Sequence, residues 1–309
     1  MTKRINRSAR GKNQTRFSRP SLVGKILPSP APMRELGFPA VIDEPIYLFR
    51  NDKPLKEHPS YVEAKKGSTD AAIQLVHDLA IPLLDAIHKR MEQGQISADV
   101  VFVAPHAREV SGDNAIPQVL SALLSVAGGS LDQDIVQTSK VYHTGADPME
   151  RLNFRPSFHG RVERGKDYIL VDDVTTLGGT LCDLADFFRR GGGNPVAAVV
   201  IVNASRSGKL FPVQKNVSLL EERFGHEVRK IFNIVPRALT ADEAQYLVGF
   251  RTAEEIRGRS AQARKKTDLR LRSKGIFLTE TAPDKKVIRR RVPFPGASAL
   301  PTTRIWIGK

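Results

Sequence analysis

The stretch from Tyr168 to Leu181, which reads YILVDDVTTLGGTL, constrains the fold more than any other part of the chain. Its first four residues are apolar, which predicts a short buried strand. Two carboxylates, Asp172 and Asp173, follow the strand, and hydroxyls and glycines come next. From Leu181 onward the apolar residues recur at helical spacing. The stretch therefore predicts a strand, an acidic edge, a glycine-rich turn and a helix.

The turn between strand and helix has the composition of an anion-binding site. Backbone N–H groups at a helix N-terminus attract phosphate, and glycine lets the backbone approach it closely. We expect a phosphate in the loop 176–180, with the hydroxyls of Thr176 and Thr180 as further donors. Asp172 and Asp173 would repel a phosphate, but they suit ribose hydroxyls or a hydrated Mg²⁺ beside it. The stretch thus predicts a ribose 5-phosphate site, and an ordinary strand-to-helix turn is the alternative.

The same stretch resembles the motif with which type I phosphoribosyltransferases bind phosphoribosyl pyrophosphate (PRPP). The usual form of that motif is DDV, one residue, and then T-T-G-x-T, and Leu177 stands here where a second Thr or another small residue is usual. The resemblance implies that Asp172 and Asp173 hold the ribose hydroxyls, directly or through water on Mg²⁺, the implied cofactor. It implies a 5-phosphate loop of Thr175, Thr176, Leu177, Gly178, Gly179 and Thr180. Because Leu177 lacks a hydroxyl, this departure favours binding over turnover.

A second segment is similar to the pyrophosphate-binding loop of this family. The strand predicted over 99–104 runs into PHAREVSGDN, a pattern closest to ComF-like members. The resemblance implies that His106 and Ala107 contact pyrophosphate and that Arg108 donates to its oxygens. A structural role for His106 is the alternative.

The segment 139–156, SKVYHTGADPMERLNFRP, stands where the family has a flexible loop that closes over PRPP. Its low periodicity predicts a functional or mobile loop. Lys140 and Arg151 are the candidates for stabilising charge on the departing pyrophosphate, and simple surface cations are the alternative.

The order of predicted elements indicates an α/β fold with a parallel sheet. Strands are expected near 99–104, 134–138, 168–171 and 196–202, with helices over 71–92, 116–127, from 180, 216–224 and 240–248. A short strand at 46–49 and an edge strand at 231–235 are also predicted. Asp70 is the expected N-cap of the first helix, which Pro82 should kink or divide. The resemblance implies a parallel-sheet phosphoribosyltransferase (Rossmann-like) core with helices on both faces.

The net charge of +15 is distributed unevenly along the chain. Residues 1–34 carry +9 and residues 251–309 carry +11, so residues 35–250 carry −5. The acid-free composition of 1–34 has few apolar residues and predicts disorder. We therefore divide the chain into a basic disordered tail (1–34), a phosphoribosyltransferase-like domain (35–250) and a basic C-terminal extension (251–309). The basic ends favour nucleic acid as a partner, and solvated tails without a partner are the alternative.

The single cysteine, Cys182, cannot form an intramolecular disulfide, and we interpret it as a packing residue. We find no apolar run of about 18 residues and no signal-peptide core, so we expect no membrane partner and a cytoplasmic location.

The resemblance covers residues 95–210 and implies an enzyme that transfers phosphoribosyl from PRPP to a nucleophile, with release of pyrophosphate. Nothing in the sequence indicates the acceptor. The alternative is a non-catalytic PRPP or nucleotide sensor, or a ComF-like nucleic-acid-associated protein. Members of the family often dimerise, so a homodimer is a further expectation.

Overall fold

The computed structural model describes residues 31–105, 114–132, 134–138 and 145–273, together with the backbone at 108–109 and 112–113. The helices are α1 (Lys53–Lys56), α2 (Tyr61–Lys65), α3 (Thr69–Glu92), α4 (Ile116–Leu124), α5 (Pro148–Asn153), α6 (Gly179–Gly191), α7 (Gln214–Phe232), α8 (Ala241–Val248) and α9 (Ala253–Arg272). The strands are β1 (Val101–Val103), β2 (Arg108–Glu109), β3 (Gly112–Asp113), β4 (Ser130–Leu131), β5 (Val136–Gln137), β6 (Phe158–His159), β7 (Asp167–Thr175) and β8 (Asn194–Asn203).

A four-stranded parallel sheet with the order β4-β1-β7-β8 forms the centre of the protein. The predicted strand at 46–49 runs along the outer edge of β8 as two isolated parallel bridges, Ile46 with Val199 and Phe49 with Val202. Because the strands are parallel, the carboxyl ends of β1, β7 and β8 open at one edge, where ligands bind in open α/β sheets. The predicted α/β class is confirmed.

Helices cover both faces of this sheet, as predicted. On one face, α3 and α4 pack their apolar residues against Phe102, Ile169 and Ile201. On the other face, α6 packs Leu181, Leu184 and Phe188 against side chains of opposite orientation from the same strands. Both faces of the central strands are therefore buried, which explains their uninterrupted apolar sequence.

Helix α3 differs from its prediction at its start and in its middle. Ser68, not Asp70, is the N-cap, and its side chain accepts a hydrogen bond from the Ala71 N–H. Pro82 lies inside one continuous helix of 24 residues and does not divide it. By length and composition alone α3 is able to cross a membrane. Its buried residues belong to the cluster that covers the sheet, the ordinary arrangement of a core helix.

One predicted strand forms but lies outside the main sheet, and another does not form. The segment predicted as a sheet strand at 134–138 forms β5, which pairs antiparallel with β6 in a separate ladder. The edge of the main sheet is instead β4, which follows directly from the turn at Gly128 and Gly129. The predicted edge strand at 231–235 is also absent, because α7 continues to Phe232 and only Ile234 bridges to Arg34.

A third apolar cluster joins α5, α7, α8 and α9 beside the sheet. Ile256 and Ala263 of α9 are buried in it, so the first part of the segment 251–309 packs on the core. Arg34, the last residue of the predicted disordered tail, is likewise fully buried. Both segments reach the core because it offers them apolar surface or buried carboxylates, which composition alone does not reveal.

Candidate functional site

The stretch 168–181 has the predicted form of strand, turn and helix, but the strand is longer than expected. β7 continues through the acidic pair to Thr175, because Asp172 pairs with Val200 of β8 and the register resumes at Val174 with Val202. Gly178 is the N-cap of α6 and has a left-handed backbone with φ of +77°. The acidic pair therefore lies in the last four residues of β7, at the carboxyl edge of the sheet. Three residues, 176–178, separate the end of β7 from the start of α6.

The turn is built for close backbone approach. A side chain at Gly178 would be strained by its positive φ and would meet Leu210 Cδ2 at 3.0 Å. A Cβ at Gly179 would lie 2.7 Å from Glu243 Oε1. Gly178 thus requires glycine, whereas a side chain at Gly179 would have to displace the Glu243 carboxylate.

Thr175 is the one residue of the loop with an unsatisfied buried group. Its side-chain Oγ1 has no hydrogen-bond partner among the described residues, and Thr175 is only 3% exposed. Thr175 lines a cavity together with Thr176, Gly178 and Thr180. A buried hydroxyl without a partner costs roughly 1–3 kcal/mol, and a bound anion at the helix N-terminus would satisfy it.

The carbonyl of Leu177 anchors the turn to the N-terminus of α8. Thr240 Oγ1 donates to this carbonyl at 2.5 Å, and the same hydroxyl caps α8 by accepting the Glu243 N–H at 3.1 Å. The departure at Leu177 therefore leaves the backbone of the loop in place, because its fixed contact is made by the carbonyl and not by the side chain.

The two carboxylates of the acidic pair have different surroundings. Asp173 is 4% exposed, and its Oδ2 accepts from Lys65 Nζ at 3.1 Å and from Asn114 Nδ2 at 3.2 Å. Burial alone would raise the pKa of Asp173, but the Lys65 charge and these hydrogen bonds hold the pKa below its ordinary value. Asp173 is thus an anion with its hydrogen bonds already made.

Asp172 is the carboxylate that faces the cavity. Burial, followed by the negative charge of Asp173, raises the pKa of Asp172 well above its ordinary value. Its Oδ1 accepts the Asp173 N–H at 2.9 Å. A ligand hydroxyl or a cation in the cavity would therefore stabilise the ionised form of Asp172.

Arg151, predicted in a flexible loop, belongs to the short helix α5 and lines the cavity with Asp172 and Thr176. The helix is fixed by a capping box between Asp147 and Glu150. Glu150 is 1% exposed and forms an ion pair with Arg270 of α9 at 3.3 Å. Burial, with the charge of Arg270, lowers the pKa of Arg151. Arg151 is thus a cation held beside the acidic pair by α9.

The cavity extends from the turn past the acidic pair to α1 and α2. It encloses about 270 Å³ on the side of Lys65, Asn114 and Asp173, and Arg151, Asp172 and Thr176 line both this part and the part at the turn. The turn at the start of α6, the acidic pair and Arg151 thus share one opening at the carboxyl edge of the sheet.

A buried charge cluster lies behind the turn. Arg34 Nε donates to Asp183 Oδ1 at 2.8 Å, and Arg34 Nη1 donates to Glu243 Oε2 at 2.6 Å. Arg155 also donates to Asp183, with its Nε on the Phe232 carbonyl at 3.1 Å. The two arginines neutralise two carboxylates that would otherwise repel an anion at the start of α6.

The other residues predicted to contact pyrophosphate are His106, Ala107, Arg108 and Lys140. His106, Ala107 and Lys140 lie outside the described residues. Arg108 is described only by its backbone, which pairs with Asp113 in the β2–β3 hairpin that follows β1.

The donor set for Mg²⁺ is small. Among the described residues, no group of three or more His, Cys, Asp or Glu side chains is placed to hold a metal ion. Mg²⁺ keeps several waters and binds through one or two carboxylates together with substrate phosphates. Asp172 fits that mode, whereas Asp173 is occupied by Lys65 and Asn114.

Several residues of the site had no signal in the sequence. Lys65 lies in a segment without periodicity, and Arg34 is one of many cations near the N-terminus. Arg155 lies in the segment 139–156, where Lys140 and Arg151 were the predicted cations. Only Thr240 had a local signal, the T-x-x-E capping pattern with Glu243.

Comparison with known proteins finds relatives whose names state no activity. No protein-family profile matches the sequence. Protein TraN of Escherichia coli is 33% identical over 216 residues, which cover 68% of this chain and 47% of TraN. An uncharacterized protein of Haemophilus influenzae is 39% identical over 131 residues, which cover 42% of this chain and 29% of that protein. The chain thus spans less than half the length of these curated relatives.

Proposed function

We propose that this chain is a PRPP-binding protein with a phosphoribosyltransferase core that transfers phosphoribosyl to a nucleophile and releases pyrophosphate. One observation carries the proposal: an anion-binding turn with an unpaired buried hydroxyl shares one cavity with an acidic pair and Arg151. These groups match the three parts of PRPP, which are a 5-phosphate, a ribose diol and a pyrophosphate. The resemblance of residues 168–181 to the family motif supports the same ligand.

In this proposal the residues stabilise the charges that develop as the bond from ribose C1 to pyrophosphate breaks. The N–H groups of Gly179 and Thr180 and the Thr175 hydroxyl hold the 5-phosphate. Asp172 accepts hydrogen bonds from the ribose hydroxyls, while Lys65 keeps Asp173 from competing for them. Arg151 stabilises the negative charge on the departing pyrophosphate. A bound Mg²⁺ would supply further neutralisation of that charge.

A non-catalytic PRPP or nucleotide sensor is the second candidate function. The observation that favours it is that Asp173 is buried and already engaged by Lys65 and Asn114, which leaves one open carboxylate at the ribose position. A sensor needs only the binding turn and Asp172, whereas transfer also needs leaving-group stabilisation.

Calorimetric titration of PRPP with Mg²⁺ tests the binding step. Asp172→Asn is expected to weaken binding strongly, and Asp85→Asn on the exposed side of α3 is the matched control. Thr175→Val keeps the shape but removes the hydroxyl, so affinity should fall about 2–10-fold, the usual contribution of one hydrogen bond. The melting temperature of Thr175→Val should be unchanged or higher, because a buried unpaired group is lost.

Wild-type protein that does not bind PRPP would overturn both candidate functions. Equal affinities for wild type and Thr175→Val would remove the turn as the phosphate site. Release of pyrophosphate in the presence of a panel of nucleobases would separate an enzyme from a sensor, since a sensor binds PRPP without turnover.

A further inference from the structure

A basic groove lies between α7 and α9, on the third layer and away from the cavity at the sheet edge. It encloses about 310 Å³, and its charged or imidazole-bearing lining residues are His226, Glu227, Lys230, Arg257 and Arg264. We infer that this α7/α9 groove binds the phosphate backbone of a nucleic acid. The inference is independent of PRPP binding, because no residue of the groove lines the PRPP cavity.

The positive charge of the groove is only partly neutralised by contacts. Glu227 is the one acidic residue among the described lining residues, and it pairs with Arg257 at 2.7 Å. Arg257 also pairs with Glu254, so Arg257 itself adds no net charge to the groove. Arg264 donates through Nε to Asn153 Oδ1 at 3.0 Å, a neutral partner that fixes the guanidinium without cancelling its charge. Lys230 has no ion pair among the described residues. By contrast, Lys209 elsewhere on the surface pairs with Asp43 at 2.6 Å.

The length of the basic face fits a polymer better than a small anion. Exposed cations continue along α9 from Arg257 through Lys265 to Arg272, the last of which pairs with Asp268 at 2.8 Å. The 15 residue steps from 257 to 272 span about 22 Å at the helical rise of 1.5 Å per residue. A nucleic-acid strand presents a phosphate about every 3.4 Å along a duplex axis, so it would place several phosphates along this face.

The chemistry of the groove predicts how the nucleic acid is recognised. No Phe, Tyr or Trp is among its described lining residues, so the groove offers no large aromatic platform for stacking of bases. Guanidinium and ammonium groups bind phosphates without reading bases. Binding should therefore be independent of sequence and strongly dependent on salt.

The test compares two charge-matched double variants of the full-length chain. Lys230→Gln/Lys265→Gln removes two exposed cations of the groove and its continuation, whereas Lys89→Gln/Lys215→Gln removes two exposed lysines on α3 and at the opposite end of α7. Fluorescence anisotropy with a labelled duplex DNA of random sequence is measured over a salt series. The groove variant should lose about 1.8 from the slope of log K against log salt, and roughly tenfold in affinity at low salt. The control should keep the wild-type slope.

Equal losses in the two variants would overturn the inference, because net charge and not the groove would then govern binding. An unchanged slope in the groove variant would overturn it as well. Competition by inorganic polyphosphate separates the sources of phosphate: polyphosphate that displaces the duplex at equal charge concentration would refute a nucleic-acid site. Calorimetry with PRPP should show unchanged affinity in the groove variant. A failed test of nucleic-acid binding is therefore distinguishable from a failed test of PRPP binding.

Discussion

At the scale of single residues, Asp172 and Asp173 are adjacent in the sequence but have opposite electrostatic environments. Lys65 and Asn114 contact Asp173, whereas the side chain of Asp172 faces the cavity beside a negative charge. Their pKa values therefore move apart, to a raised value for Asp172 and a lowered value for Asp173. Divergent pKa values in a cleft are typical of functional sites.

The divergent pKa values predict opposite dependences of stability on pH. Because the pKa of Asp172 is raised in the folded protein, the stability that the protonated carboxyl contributes is fully present below the unfolded pKa of about 3.9. This stability is lost as the pH rises through the folded pKa. Asp172→Asn should therefore raise the melting temperature at pH 8 by about 2 °C or more, with little effect near pH 4. Thermal unfolding over a pH series measures this.

Asp173→Asn should behave in the opposite way. The lowered pKa means that the stability from Asp173 is present above its unfolded pKa and is lost as pH falls, so the variant should be destabilised at neutral pH and approach wild type in acid. Asp85→Asn is the control for both variants. Parallel pH profiles for Asp172→Asn and Asp173→Asn would contradict the assignment of the two environments.

Cys182 shows that a local prediction can succeed for a buried residue. It is fully buried in α6 against the Ala238 carbonyl, and burial raises the pKa of its thiol to about 12. The predicted packing role is confirmed.

At the scale of elements, residues 31–37 form a segment, here called the N-terminal strap, that packs on α6 and α8. Its Arg34 pairs with Asp183 of α6 and Glu243 of α8, and the N–H groups of Glu35 and Leu36 donate to Asp186. The strap thus holds together the two helices that position the glycine turn at 176–180. Charge composition alone assigned Arg34 to a solvated tail.

Loss of Arg34 should be strongly destabilising. Arg34→Ala leaves Asp183 and Glu243 buried with fewer partners, and breaking such a buried pair costs about 3–5 kcal/mol. Arg34→Lys should rescue only part of this, because an ammonium cannot bridge two carboxylates with a planar fork. Urea unfolding measures the loss, with exposed Arg206→Ala as the control. A loss from Arg34→Ala as small as that of the control would refute the structural role of the strap.

At the scale of the whole molecule, a parallel sheet with helices on both faces supports a third layer of four helices. That layer holds α5, and through α5 it holds Arg151 at the cavity. α9 contributes apolar side chains to this layer and the partners of buried Glu150. The basic segment after residue 250 therefore begins as part of the folded protein.

The packing of α9 makes a matched pair of predictions on one helix. Ile256 is fully buried and Leu269 is 68% exposed. Ile256→Ala should lower the free energy of unfolding by about 2–5 kcal/mol, whereas Leu269→Ala should change it by about 0.5 kcal/mol or less. Chemical denaturation measures both variants. Equal small effects would show that α9 is a peripheral extension.

The sequence by itself determined the local structure of this protein where one physical signal dominated. The runs at 99–104 and 168–171 predicted buried strands, because burial on two faces restricts a strand to apolar residues. The glycines after Thr176 predicted the turn at α6, because a left-handed backbone favours glycine. The acidic pair and the turn had to meet at one sheet edge, since they follow the same strand.

Only the tertiary structure decided which distant side chains complete the site. Lys65 reaches Asp173 across 108 residues and Arg34 reaches Glu243 across 209, and neither has a local signal. The same holds for β5, whose short apolar pattern suits either the sheet or the separate ladder with β6. Ion pairs and strand partners are chosen by the packing of the whole chain, because their energy depends on burial that no local pattern specifies.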